Sequence, residues 1–297
     1  NGSFSPSLYV WTLAEKKKKK GDAKKQSEEK DKLASKSEKK SSKKKTDSQK
    51  LYLTILSTEG DTLIQYHSKA DSNLYKIALV MREKGVRYPS YKDAKPTDNP
   101  PFGLQLMPGK YKVMVKYKHF VDSTIIELKA DPRIQITDED RRAKRDAYQE
   151  HDKIAQKLAT AFQQLKELRK VTNLVGGLLL NAPDSIQKDI AKQTKIMQDS
   201  IRKQMEIFLP PQKPEKGITR RSENLRSSLY TLRRYIGASD AAPNQMAKLA
   251  LKKLQKEAKL AIESVNKLLT KDWPSYQKVV EAAQTSIFKT IEPVKME

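Results

Sequence analysis

The side chains able to do chemistry are few and widely spaced. Three histidines occur, His67, His119 and His151, at intervals that match no paired metal spacing such as HExxH. His151 falls on an apolar helical stripe, where an imidazole reads as a core or boundary residue. Asp138-Glu139-Asp140 is the densest acidic triplet outside the Lys-rich stretch. It stands in the first turn of an expected helix, where negative charge is stabilised by the helix dipole, so capping accounts for it. A glycosidase would need two carboxylates facing each other across a cleft, and nothing in the spacing provides that pair. There are no cysteines, which excludes a thiol nucleophile, a thiolate metal site and a disulfide framework. Gly176-Gly177 lacks the Lys-Ser/Thr of a phosphate loop and reads as a helix break. No catalytic, cofactor-binding or metal-ligating residue is assigned, and no cofactor is expected.

The remaining polar cluster is basic. Arg220, Arg221, Arg226, Arg233 and Arg234 share one predicted helix. They read as a solvated face, with contact to an anion or a protein partner as the alternative. The formal net charge is +24 in 297 residues, which favours polyanions without choosing among them. Sequence-specific nucleic-acid binding would need a recognisable module that carries base-reading groups, and none is visible. Any polyanion binding is therefore expected to be non-specific and governed by counterion release.

The elements that must position these residues fall into two regimes. Residues 1–50 hold 16 lysines against 7 acids. Residues 15–49 are almost devoid of apolar side chains and read as a Lys-rich disordered insertion. Residues 1–14 hold a first strand, and residues 50–133 alternate with period two. Leu51, Leu53 and Ile55, then Tyr111, Val113, Val115 and Tyr117, mark one apolar face. Glu59-Gly60-Asp61 and Pro108-Gly109 are turn signals. Six or seven short strands predict an Ig- or fibronectin-like β-sandwich.

From residue 134 to 297 the period becomes helical. Thr137 with Asp140 resembles a capping box. Stripes follow through His151, Leu158 and Leu165, through Ile190, Ile201 and Phe208, through Leu225, Leu229 and Leu232, and through Leu251, Leu254 and Val265. Asp272 with Pro274 predicts the start of a last short helix. The expected class is therefore α+β and multidomain, a β-sandwich followed by an antiparallel bundle of four to five helices. No apolar run approaches the about 20 residues that span a bilayer.

The order of these pieces resembles the C-terminal region of bacterial sortilin-like, BNR-repeat β-propeller proteins. The resemblance rests on Leu106-Met107-Pro108-Gly109-Lys110-Tyr111-Lys112-Val113, similar to the family's strand entry. It rests also on Leu128-Lys129-Ala130-Asp131-Pro132-Arg133, similar to its exit from the sandwich. Arg220 to Tyr235, Ala242-Pro243 and Asp272-Trp273-Pro274 are similar to its last helices. Ser7–Leu13 and Leu51–Ser57 are similar to two of its strands. Leu79-Val80-Met81-Arg82 departs from the family pattern and keeps only the Arg.

The resemblance implies a non-catalytic structural and interaction module of a secreted or cell-envelope protein. Its first partner would be a β-propeller upstream in the same polypeptide, and any hydrolase activity would lie there. The start at Asn1, without Met, fits that expectation. A basic polyanion- or nucleic-acid-binding protein is the alternative.

Overall fold

The computed structural model describes residues 7–12, 50–70, 73–95, 98–178, 184–211 and 223–282. The Lys-rich insertion lies outside them, as do Arg220, Arg221 and the end of the predicted last helix. The fold is mixed α+β, with small antiparallel sheets and helices in two compact units. The first unit takes the chain up to Gly85 and again from Pro96 to Ile134. The second takes Val86–Lys95 and everything from Gln135.

In the first unit, β1 (Ser7–Thr12) pairs antiparallel with β4 (Asn73–Ala78). Strands β2 (Lys50–Leu56), β3 (Thr62–Lys69), β7 (Gly109–Tyr117) and β8 (Phe120–Leu128) form a four-stranded sheet in the order β3-β2-β7-β8. Two short strands, β5 (Arg82–Lys84) and β6 (Phe102–Gln105), pair separately. The register explains the alternation. Leu53 stands opposite Tyr66 and Val115, and Ile55 opposite Ile64 and Val113. Every second residue of β2 therefore enters one apolar cluster. Ile77, Leu79, Met81 and Leu106 join it, with half-buried Leu8 and Val10 from β1. Each fully buried aliphatic side chain contributes about 1.5–3 kcal/mol.

The β2–β3 turn is set by Ser57, whose hydroxyl oxygen accepts from the N–H groups of Glu59 (3.2 Å) and Asp61 (3.1 Å). Gly60 sits between them at φ +95°, where a Cβ is strained. A second close fit occurs after β5. Gly85 and Gly103 meet backbone to backbone, and a Cβ on Gly85 would lie 2.8 Å from the Gly103 nitrogen. Gly85 N–H donates to the Pro101 carbonyl across the same gap at 2.7 Å.

In the second unit, α1 (Asp138–Leu178) packs against α2 (Asp184–Phe208), α3 (Leu225–Gly237) and α4 (Gln245–Lys267). The core holds Leu158, Phe162, Leu165, Ile201, Phe208, Leu229, Leu232, Ile236, Leu254 and Val265. All of these positions except Phe162 follow the predicted stripes. The acidic triplet occupies the first turn of α1. Asp140 N–H donates to the Thr137 hydroxyl at 3.1 Å, and that hydroxyl donates to the Asp140 carboxylate at 2.9 Å. Helix α4 begins on Asn244, whose side chain accepts from Ala247 N–H at 2.9 Å.

Two boundaries differ from expectation. Helix α1 includes Gly176-Gly177 and is described as far as Leu178. Asp272 and Pro274 do not open a separate helix. The chain stays helical from α4 through a π turn (Leu268–Asp272) into α5 (Trp273–Ala282), with Trp273 N–H donating to the Leu268 carbonyl. A wider turn just before Pro274 accommodates a residue that has no N–H to give.

Candidate partner-binding face

Helix α3 positions the arginines. Its N-cap is reciprocal: Ser227 N–H donates to the Asn224 side chain (3.0 Å), and Asn224 N–H donates to the Ser227 hydroxyl (3.1 Å). Leu225, Leu229, Leu232 and Ile236 point into the core. That leaves Arg226, Tyr230, Arg233 and Arg234 on the remaining surface.

The three described arginines have different surroundings. Arg226 lies over the Tyr230 ring, 5.6 Å from its centroid, and reaches the Tyr230 hydroxyl at 3.4 Å. Arg233 lies over the Tyr148 ring at 5.4 Å and stands 3.6 Å from the Asp152 carboxylate. Of the three, only Arg234 is exposed, and Arg226 and Arg233 are half-buried. The predicted cluster is thus divided, with one guanidinium directed inward and one stacked along its own helix.

Arg233 leads to a buried polar centre. His151 on α1 is wholly inaccessible, at 0% exposure. Its Nδ1 lies 2.8 Å from the Asp152 carboxylate, and its Nε2 lies 3.1 Å from the Leu229 carbonyl of α3. The Tyr88 hydroxyl is 3.4 Å from Nε2. The Tyr88 ring meets those of His151 and Tyr230 edge-on, with centroids 5.7 and 5.1 Å away. Burial pushes the Tyr88 phenol above its ordinary value. Arg233 pulls it back by charge and hydrogen bond, and the charge of Asp152 and neighbouring Tyr230 oppose that pull. A general base must reach the proton it removes. This imidazole reaches only a helix carbonyl, a neighbouring carboxylate and a tyrosine, so what it does is tie α1 to α3 and to residues 86–95.

Residues 86–95 continue along the helices. Tyr91 packs edge-on against Phe162 at 5.4 Å, and its hydroxyl donates to the Pro210 carbonyl at 3.2 Å. Burial raises the Tyr91 phenol, against the charge of Arg169. Asp93 accepts from the buried Lys166 ammonium and lies 3.6 Å from Lys170. The hydrogen bond to Lys166, its charge and then Lys170 hold the Asp93 carboxyl below its ordinary value.

The other chemistry-capable residues lie apart. His67 is on β3 beside Tyr52, and His119 sits in the β7–β8 turn against Phe120. Among the described residues, no group of three His, Asp or Glu stands close enough to hold a metal ion, and no helix is long and apolar enough to cross a membrane.

Sequence reasoning missed Tyr88, Tyr91, Asp93 and Lys166. The signal available was two tyrosines three apart followed by an acid, in a stretch with neither helical nor strand periodicity. Comparison with family models, curated proteins and solved structures finds no match to this chain.

Proposed function

We propose that this chain is a non-catalytic structural and interaction module: an Ig- or fibronectin-like β-sandwich followed by an antiparallel helical bundle. In this reading it is the C-terminal accessory region of an extracytoplasmic β-propeller protein, and the propeller is its first partner. One observation supports the module reading above others. Among the described residues, three of the five buried polar side chains join one element to another. His151 links α1 to α3, Lys166 anchors Asp93, and Thr194 of α2 meets Tyr276 of α5 at 3.0 Å. The apolar cluster shared by β1, β2, β3, β4 and β7 supports the sandwich. The propeller rests on the order of the sequence motifs.

The test is to sequence the locus upstream of Asn1 and express the whole reading frame. Several hundred residues of propeller repeats behind a signal peptide are expected. A promoter and start codon immediately before Asn1 would refute that part of the reading. Hydrolase activity retained in the 297-residue chain alone would refute the module.

A second reading, polyanion binding, is favoured by Lys248, Lys252 and Lys256. They follow one another at four-residue spacing along exposed α4, without an ion-pair partner among the described residues. Titration of DNA, RNA and heparin across a salt series separates the readings. Comparable affinities that collapse together as salt rises fit a module with an incidental charge. A preference of about 1000-fold for one nucleic-acid sequence would establish the second reading instead.

A further inference from the structure

The two edges of the four-stranded sheet are finished differently. On the β3 edge, Asn99 closes the backbone at His67. The His67 N–H donates to the Asn99 side-chain oxygen, and the Asn99 amide donates to the His67 carbonyl, both at 2.9 Å. Strand β8 ends the sheet on the other side, with β7 as its partner strand among the described residues. The two-residue turn Lys118-His119, with Lys118 at φ 54°, makes Tyr117 and Phe120 a hydrogen-bonded pair. Alternation then points the N–H and C=O of Val121, Ser123, Ile125 and Glu127 away from β7. The Ser123 N–H donates to the carboxylate of its own neighbour Asp122, at 2.7 Å. Val121 and Ile125 stand 56% and 72% exposed along this edge, and the nine residues of the strand include no Lys and no Pro. An edge of that kind is a template for another strand.

We propose that the β8 edge pairs antiparallel with the β8 edge of a second copy of this chain, about a twofold axis at Ser123. The strand's own sequence selects that occupant. Only a register that sets odd positions against odd positions brings N–H onto C=O. With Ser123 opposite Ser123, Val121 of each copy meets Ile125 of the other on one face. On the opposite face Phe120 meets Ile126, and Asp122 meets the Thr124 hydroxyl. At each end the Lys118-His119 turn of one copy stands beside Glu127 of the other. Moving the axis to Asp122 sets two carboxylates against each other. Moving it to Thr124 or Ile125 sets Val121 against Glu127 or Lys129. The Asp122 side chain is exposed, so it can yield the Ser123 N–H to an incoming carbonyl and stay in water. The charge of +24 on each copy opposes association. Strand β8 itself holds Asp122 and Glu127 and no base, with Lys129 3.6 Å from Glu127. On the outer face Lys112 and Lys116 of β7 stand opposite Ile125 and Val121. In the dimer they face their counterparts across three strand spacings, roughly 14 Å, beyond the about 8 Å at which physiological salt screens charge. The contact does not depend on a propeller upstream.

The test is sedimentation equilibrium of the whole 297-residue chain over a dilution series. A monomer–dimer equilibrium is expected, about tenfold or more tighter at about 0.5 M NaCl than at about 0.05 M, because salt screens the repulsion. Polyanion binding runs the other way with salt. Ser123→Pro removes two N–H groups at the axis and none that β7 receives, and should weaken the dimer by about tenfold or more. Ile125→Lys sets a cation against the apolar Val121 and should do the same. The chain has no cysteine, so Ser123→Cys reports the register. Opposed Cα atoms about 5.5 Å apart lie within disulfide reach, and this variant should cross-link under mild oxidation. Val121→Cys separates its two thiols by four residues along the strands, roughly 13 Å, and should not.

A chain that stays monomeric up to about 1 mM at both salt concentrations would overturn the proposal. So would a dimer that Ile125→Lys leaves at full strength while keeping the circular dichroism of the unaltered chain, since the contact would then lie elsewhere. Ile125 is exposed, so this variant decides the matter even where the proline unfolds β8. Cross-linking of Val121→Cys in preference to Ser123→Cys would overturn the axis. An open-ended series of larger species would overturn the twofold, because a contact of that symmetry closes at two copies.

Discussion

Alanine at Gly85 should be far more costly than a single added methyl implies. Its Cβ would lie 2.8 Å from the Phe102 carbonyl carbon, 2.8 Å from the Gly103 nitrogen and 2.9 Å from the Gly103 Cα. Carbon contacts are comfortable only from about 3.5 Å, so the two backbones must part by several tenths of an ångström. All three obstructing atoms are backbone, and no rotamer change relieves them. Overpacking of this kind costs about 1–3 kcal/mol, and loss of the 2.7 Å bond from Gly85 N–H to Pro101 adds about 1 kcal/mol. The expected loss is thus about 2–4 kcal/mol. Urea unfolding followed by circular dichroism measures it, and amide exchange at β5 and β6 locates it. Gly177 in α1 is the control. Its Cβ would meet nothing within 4 Å, so Gly177→Ala should stabilise by up to about 1 kcal/mol. Gly103→Ala opens the same gap, and the double variant should cost less than the sum. A Gly85→Ala protein within about 0.5 kcal/mol of the unaltered chain would refute the reasoning.

Thr194→Val leaves the Tyr276 hydroxyl without its buried partner and should cost about 1–3 kcal/mol by chemical denaturation; an unchanged midpoint would mean that water replaces the threonine. Burial raises the phenols of Tyr66, Tyr88, Tyr91 and Tyr276 above their ordinary value of 10.0. Their contribution to stability is therefore complete below pH 10 and lost as pH climbs through the raised values, so ultraviolet titration should show these phenolates appearing together with unfolding. Asp131 accepts from the Arg133 guanidinium at 2.6 and 3.0 Å and titrates at about 2. Its contribution is present above pH 3.8 and lost as pH falls through about 2; Arg133→Gln should return the carboxyl toward 3.8 in an NMR titration.

The strands and helices were legible wherever one face is apolar. Leu51, Leu53 and Ile55 repeat every second residue because β2 buries one face, and Leu225, Leu229 and Leu232 repeat at helical spacing because α3 buries one stripe. His151 reads as a core residue on the same ground, and it is one. Lys166 was hidden. It adjoins the stripe at Leu165, but the acid that compensates it lies 73 residues earlier, and no local pattern reports such a pairing. Tyr88 and Tyr91 belong to a segment whose conformation is set by the helices beneath it, so neither period appears. The arginines of α3 were visible as a cluster, but their division depended on Asp152 and Tyr148, two turns of a different helix. Asp272-Trp273-Pro274 carries the signs of a helix start, and those signs do not distinguish a new helix from a widened turn in a continuing one.

That widened turn amounts to one extra residue in the count. An α-helix advances about 100° per residue, so the π turn at Leu268–Asp272 shifts the phase of everything after it by that angle. Tyr276 reaches Thr194, and Val280 packs on the core, in the shifted phase. Winding the turn as plain α-helix with all its residues kept would swing both side chains about 100° off the bundle, whereas deleting one residue of the turn would restore uninterrupted α-helix with both still facing inward. The face that α5 turns inward is therefore fixed by the parity of a loop-like insertion upstream of it as much as by its own ten residues. The turn thus absorbs one residue, and the sealed surface of the last helix survives the loss of that residue but not the loss of the turn alone.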